Sequence, residues 1–197
     1  MRRGLLCLVA LLLPAAAHAH GVSPAISGFY AGGMTVLIGP EDLLQWVALG
    51  AFAAVHPPEQ AGWVAEALVA GLLAGFAAGS LGLVGPIPLW AGEAGLLAVG
   101  ALLVAGVCAP FPALAGLAEA IGLLRGAHAG VDMTVRQDKL ALAGGIGITA
   151  YLLMVVCIST FVWLLRRIAP VRVVAFRTFG SWVVAIALML GAFELAH

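Results

Sequence analysis

A chain of 197 residues that is 63% hydrophobic and 9% charged, with a mean hydropathy of +1.14, has too little polar surface to coat a water-soluble globule, for which about 25% charge is usual. Nine Lys and Arg balance nine Asp and Glu, so no basic field exists to hold a phosphate backbone, and nucleic acid is excluded as a partner. The expected surroundings are a lipid bilayer and the expected fold is an all-α, polytopic helical bundle, because backbone groups in lipid must be satisfied within each segment and the alternating polarity of a membrane barrel is absent.

The chain opens with Arg2 and Arg3, the apolar run Leu5 to Leu13, Pro14, and a small-residue stretch ending Ala17-His18-Ala19. This is the n-region, h-region and A-x-A order of a secretory signal. The apolar run is too short for a hydrocarbon core that needs about 20 residues. Residues 1–19 are therefore expected to be a signal peptide cleaved after Ala19, and 20–197 a single transmembrane helical domain that starts outside the cytoplasm. His20 would then offer an amine and an imidazole, a chelating pair for a borderline cation; the alternative is an unstructured terminus. Cys7 leaves with the signal, whereas Cys108 and Cys157 lie in apolar sequence without C-x-x-C spacing and read as core hydrophobes.

Gly, Pro and charge clusters divide the remainder into about six apolar segments of spanning length, near 25–55, 62–84, 88–107, 110–129, 139–165 and 173–195. The first is expected to break near Gly39-Pro40, since proline lacks an amide and the residue before it avoids the α region. Glu41 and Asp42 follow directly. Either they sit beside the exposed backbone ends of a broken helix and bind a cation, or they form the capping first turn of a helix that starts at the interface. His56, before Pro57-Pro58, reads as a cytoplasmic turn residue. Glu66 in the second segment has Gly62 and Ala70 one turn away on either side, and Glu93 in the third has Trp90, Leu97 and Gly100 along its face. Neither has a basic partner on its own helix, so each must find one on another helix, meet water or be protonated.

Glu119 lies inside the fourth segment. Acids on three different helices, Glu66, Glu93 and Glu119, point to a polar interior. Gly122, Gly126 and Gly130 recur every four residues, a small-residue face that permits close helix approach; it reads as ordinary helix packing or as a seam around a path. Arg125, His128 and Asp132 would share one face if the helix continued past Gly130, but glycine and the polar run after it favour a helix end and a solvated exit loop there. Six crossings from an exported start put Arg166, Arg167 and Arg172 on the cytoplasmic side, as the positive-inside rule requires. Arg136 and Lys139 fall outside, in company with Asp132 and Asp138.

The runs Ala19-His20-Gly21, Gly28-Phe29-Tyr30-Ala31-Gly32, Gly39-Pro40-Glu41-Asp42-Leu43-Leu44-Gln45-Trp46-Val47-Ala48-Leu49-Gly50, Glu93-Ala94-Gly95 and Arg177-Thr178-Phe179-Gly180 resemble those of the HupE/UreJ family of hydrogenase and urease accessory membrane proteins, regarded as nickel or cobalt permeases. The family's first-helix signature is H-P-x-x-G-x-D-H. Here Thr35 and Val36 stand for His and Pro, Gly39 is kept, and Glu41 and Asp42 stand for Asp and the final His. Its later H-G-x-A-H-G motif is answered by Arg125-Gly126-Ala127-His128-Ala129-Gly130, with the single histidine out of register. The resemblance implies transport of a divalent transition metal, nickel or cobalt, in support of metalloenzyme maturation, with no tightly bound cofactor and a place in the bacterial inner (cytoplasmic) membrane.

With the imidazoles gone, the ligand set this implies is Glu41, Asp42 and Glu93, with His20 capturing metal outside and Glu66, Glu119, Arg125 and His128 as further groups along a polar path. Imidazole suits nickel, whereas carboxylate and carbonyl suit harder ions. The competing reading is a non-transporting membrane subunit that has lost the metal site, its small-residue seams docking a second copy or another membrane protein. An enzyme is not expected: no Ser-His-Asp set, H-E-x-x-H or P-loop is present.

Overall fold

The computed structural model describes residues 24–195, apart from 89, 107–108, 133–137 and 168–171. The signal segment and His20, and with them Cys7, lie outside the described residues, as do Cys108, Arg136 and the side chains of Glu41 and Arg172. Seven helices fill the described residues: α1 (Pro24–Ile38), α2 (Pro40–Ala53), α3 (Pro58–Ser80), α4 (Trp90–Ala105), α5 (Phe111–Val131), α6 (Lys139–Arg167) and α7 (Arg172–Leu195). Proline opens most of them. Pro40 and Pro58 begin α2 and α3 and Pro112 sits in the first turn of α5, where the missing amide costs nothing. Asp138 caps α6, its Oδ1 accepting from the amides of Leu140 at 3.0 Å and Ala141 at 3.2 Å.

Two helix ends depend on positive φ. Beyond α3, Gly82 at φ +70 turns the chain so that its own amide donates to Gly79 O and that of Leu83 to Ala78 O, the paired bonds of a Schellman motif. Beyond α4, Gly106 at φ +65 donates back to Leu102 O. L side chains adopt this region at a cost that glycine avoids.

The expected break is present. Gly39 is extended at φ −71, ψ 113, and the axes of residues 27–38 and 42–53 are bent by 73°. The six expected segments thus appear as helices, the first as the pair α1 and α2. By length and apolarity α3, α6 and α7 suffice to cross a membrane, a fourth crossing arises if the bent pair is one span, and α4 is a shorter apolar helix. α5 carries Glu119, Arg125 and His128 along its 21 residues and does not pass that test.

Three seams hold the bundle, and each is made where glycine lets backbones meet. Gly71, Gly75 and Gly79 of α3 face the backbone of Glu119, Leu123 and Ala127, while Gly122, Gly126 and Gly130 of α5 face Leu68, Leu72 and Phe76. The register rises together along both helices, so α3 and α5 are parallel. Gly28 meets Ala141 and Gly33 meets Thr149 in the same sense, making α1 and α6 parallel. Gly100 lies against Val183 and Gly180 against Leu103, so α4 and α7 are antiparallel. These directions are what six successive crossings produce.

α2 sits in the middle, touching α1, α3, α4, α6 and α7, and Gln45, Trp46, Ala48, Leu49, Ala51, Phe52 and Ala53 on it are all buried. The outside is apolar: Leu152 and Val156 of α6 and Trp182, Leu188 and Met189 of α7 are exposed, the arrangement suited to lipid. Cys157 is a buried free thiol in this packing, against Gly50.

His56 lies in the turn between α2 and α3, as expected, and has a further role there. It is buried, with Nδ1 3.3 Å from Phe52 O and Nε2 3.0 Å from Ala109 O, and so ties the end of α2 to the approach to α5. Both partners accept only, so a neutral ring donates to one and an imidazolium to both. His56→Ala is expected to cost about 1–2 kcal/mol through the orphaned carbonyls, seen as a lowered unfolding temperature in detergent; an unchanged temperature would mean that water replaces the ring.

Candidate functional site

Where the first span breaks, side chains from three helices converge. The break brings the N-terminal turn of α2, with Asp42, beside the N-terminal turn of α4, with Glu93. Helix N-termini carry partial positive charge, which favours carboxylates there. Arg125 of α5 lies against both: its Nε is 2.9 Å from Asp42 Oδ1 and its Nη2 3.9 Å from Glu93 Oε1. Thus the basic partner that Glu93 lacks on its own helix comes from α5.

Gln45 completes the cluster. One turn beyond Asp42 and 1% exposed, it accepts from Arg125 Nε at 3.0 Å and donates through Nε2 to Gly92 O at 3.3 Å. Gly92 and Gly95 leave the room: a Cβ on Gly92 would lie 2.6 Å from Arg125 Cζ, and one on Gly95 2.6 Å from Gln45 Nε2. Gln45 was not among the expected site residues, which were sought only among ionisable groups; an amide in an otherwise apolar segment was the signal for it.

Beside this cluster is a cavity of about 260 Å³ lined by Thr35 and Val36 of α1, Asp42 and Trp46 of α2, Arg125, His128 and Ala129 of α5, Asp132, and apolar side chains of α3 and α6. The two motif positions compared above, Thr35-Val36 and Arg125 to Ala129, therefore meet in one space. Asp42 and Arg125 have side-chain exposures of 21% and 15%, and Glu93 lies deeper at 8%. At the mouth, His128 Nε2 stands 3.3 Å from Asp132 Oδ2.

The helix end expected near Gly130 is found at Val131, with an exposed Asp132 as its cap, and residues 133–137 of the loop that follows lie outside the described residues. α5 continues through Gly130 to Val131, and Asp132, at φ −75 and ψ −6, keeps the helical turn by donating its amide to His128 O. Arg125, His128 and Asp132 consequently do share a face, and all three line the cavity. Glu66 and Glu119 are on the exposed outer surface of α3 and α5, and the structure does not bring them to it. No group of three or more His, Cys, Asp or Glu side chains disposed to hold a metal occurs among the described residues, which leave out the side chain of Glu41.

Chemically, the site is a partly buried, hydrogen-bonded guanidinium between two carboxylates, next to a cavity with a histidine–carboxylate pair at its rim. Such intramembrane charges mark ion or substrate paths by default. The sequence profile of the family described as HupE / UreJ protein matches residues 7–190 of the chain. No curated protein and no solved structure matches it. With the match covering nearly the whole chain, this helical membrane protein belongs to the HupE/UreJ family.

Proposed function

We propose that the chain is an inner-membrane permease for a divalent transition-metal cation, nickel or cobalt, that supports metalloenzyme maturation. The observation that carries this reading is the convergence of Asp42 and Glu93, from two helix starts, on Arg125 inside an apolar bundle, beside a cavity that Asp42 and Arg125 line. The cavity lies at the end where α1, α4 and α6 begin and α5 finishes. With Arg166 and Arg167 at the opposite end of α6 facing the cytoplasm, it is the outward vestibule. In this reading cleavage after Ala19 leaves His20 on the same outer side to capture the ion, Glu41 and Asp42 receive it at the break, and Glu93 is the next carboxylate inward. A broken helix at membrane depth is a recurrent place for such a site.

A second reading is favoured by one observation, that Arg125 already stands as a cation against both carboxylates. Acids that share an internal cation suit a non-transporting subunit that docks another membrane protein or a second copy of the chain. Uptake of nickel and cobalt by cells lacking their own high-affinity importers separates the two. The permease is expected to support uptake, and Glu41→Gln, Asp42→Asn and Glu93→Gln at matched membrane abundance should each lower it by about tenfold or more, as loss of a charged ligand predicts. Undiminished uptake in all three variants would remove the ligand assignment, and no uptake from well-inserted wild-type protein would favour the docking subunit.

A further inference from the structure

Between Asp42 and Glu93 a cation is already present, and it belongs to the protein. We infer that Arg125 is a specificity-determining residue whose guanidinium fills, as a tethered monovalent cation, the position between the two carboxylates that a divalent ion would take. Cargo binds there only in competition with it. The identity of the cargo rests on the permease reading; the competition is a statement about binding and can be measured without transport.

The guanidinium is seated. Its Nε donates to Gln45 Oε1 at 3.0 Å and stands 2.9 Å from Asp42 Oδ1 as an ion pair, its Nη2 faces Glu93 Oε1 at 3.9 Å, and Gln45 is itself fixed by Gly92 O. The backbone of α4 makes space for it, since a Cβ at Gly92 would come within 2.6 to 2.9 Å of three guanidinium atoms. Charge leads to the same conclusion. Two ionised carboxylates and one guanidinium sum to −1. A divalent ion added with Arg125 in place makes the cluster +1, with two cations side by side at low dielectric, whereas an ion that displaces Arg125 makes it neutral. Arginine also has no acceptor and does not deprotonate in proteins, so it cannot become a ligand as a histidine at the same position would.

Arg125→His removes the fixed charge and adds an imidazole, the donor that suits nickel; Arg125→Gln removes the charge alone. The test is calorimetric titration of NiCl2 into the purified full chain in detergent. Every protein carries His20→Ala, so that the terminal imidazole does not contribute, and has no histidine tag. Arg125→Gln is expected to bind Ni²⁺ about tenfold more tightly than its parent, and Arg125→His about a hundredfold. Both gains should vanish when Asp42→Asn is added. Folded Arg125→Gln and Arg125→His that bind no tighter than the parent would overturn the inference. So would a parent that binds one Ni²⁺ at micromolar or lower Kd and loses it with Asp42→Asn, an outcome readable even if neither Arg125 variant folds. Failure of the permease reading shows instead as absent uptake by the wild type, which leaves these affinities as they are.

Discussion

Gly126→Leu is expected to destabilise the bundle by more than ~3 kcal/mol, at or beyond the upper end of the range for overpacking substitutions. At that position a Cβ would run into the carbonyl oxygen of Leu72, with Leu72 C at 2.7 Å and Cα at 2.9 Å. All three are backbone atoms of α3, so no rotamer change relieves them. The helices would have to separate, and Gly122 and Gly130, whose added Cβ atoms would meet Leu68 and Phe76, would lose their contacts with Gly126. In lipid there is no hydrophobic gain between helices to offset this, because close packing itself drives association. Gly116 on the same helix is the control. Nothing lies within 4 Å of a Cβ there, so Gly116→Ala should be neutral or stabilising by up to ~1 kcal/mol from helix propensity. Thermal unfolding in micelles checks both, and a Gly126→Leu protein as stable as Gly116→Ala would show that the α3–α5 seam is not closed as described.

This contrast marks what could be read in advance about the fold. The row Gly122, Gly126, Gly130 is legible as a close-packing face because its four-residue spacing is local. Its partners Gly71, Gly75 and Gly79 are equally regular, but small residues occur on most of the helices, and nothing in one helix names its mate. The pairing of α1 with α6 and of α4 with α7 is hidden for the same reason. The break at Gly39-Pro40 was legible because proline acts on its immediate neighbours. That it would place α2 at the centre of the bundle, with Gln45, Trp46 and Leu49 buried, depends on every other helix.

The candidate site divides along the same line. Asp42, Glu93, Arg125 and His128 stand out because an ionisable group in an apolar segment is costly, and the lack of a basic neighbour for Glu93 on its own helix already implies a partner elsewhere. Which acids face inward is another matter. Glu66 and Glu119 have the same surroundings in sequence as Glu93, yet they lie on the outside. These helices are apolar on all sides, so no polar face distinguishes the bundle interior from the lipid side, as it would in a soluble helix. The end of α5 was legible to within a residue, because glycine weakens a helix that stands alone; that Gly130 itself packs against Phe76 and Gly79 of α3, with the helix ending at Val131, depends on the partner helix.

Within the cluster, Arg125→Gln should cost the most stability, about 3–5 kcal/mol, the range for removing one partner of a buried ion pair. It strips the cation from two carboxylates at once, leaving Asp42 and Glu93 to repel each other or take up protons. Asp42→Asn should cost less, about 1–3 kcal/mol, because Arg125 keeps Glu93 at 3.9 Å and Gln45 at 3.0 Å. The double variant Asp42→Asn/Arg125→Gln leaves a single acid beside neutral amides and should be less damaged than the sum of its parents, with a coupling of about 1–3 kcal/mol. Unfolding free energies of the four proteins in the same micelle close the cycle. Additive effects would mean that Arg125 stands beside Asp42 without being held by it. A strong coupling, with Arg125→Gln the worst of the three, would establish the guanidinium as the charge on which both carboxylates depend, the condition under which a metal ion can replace it.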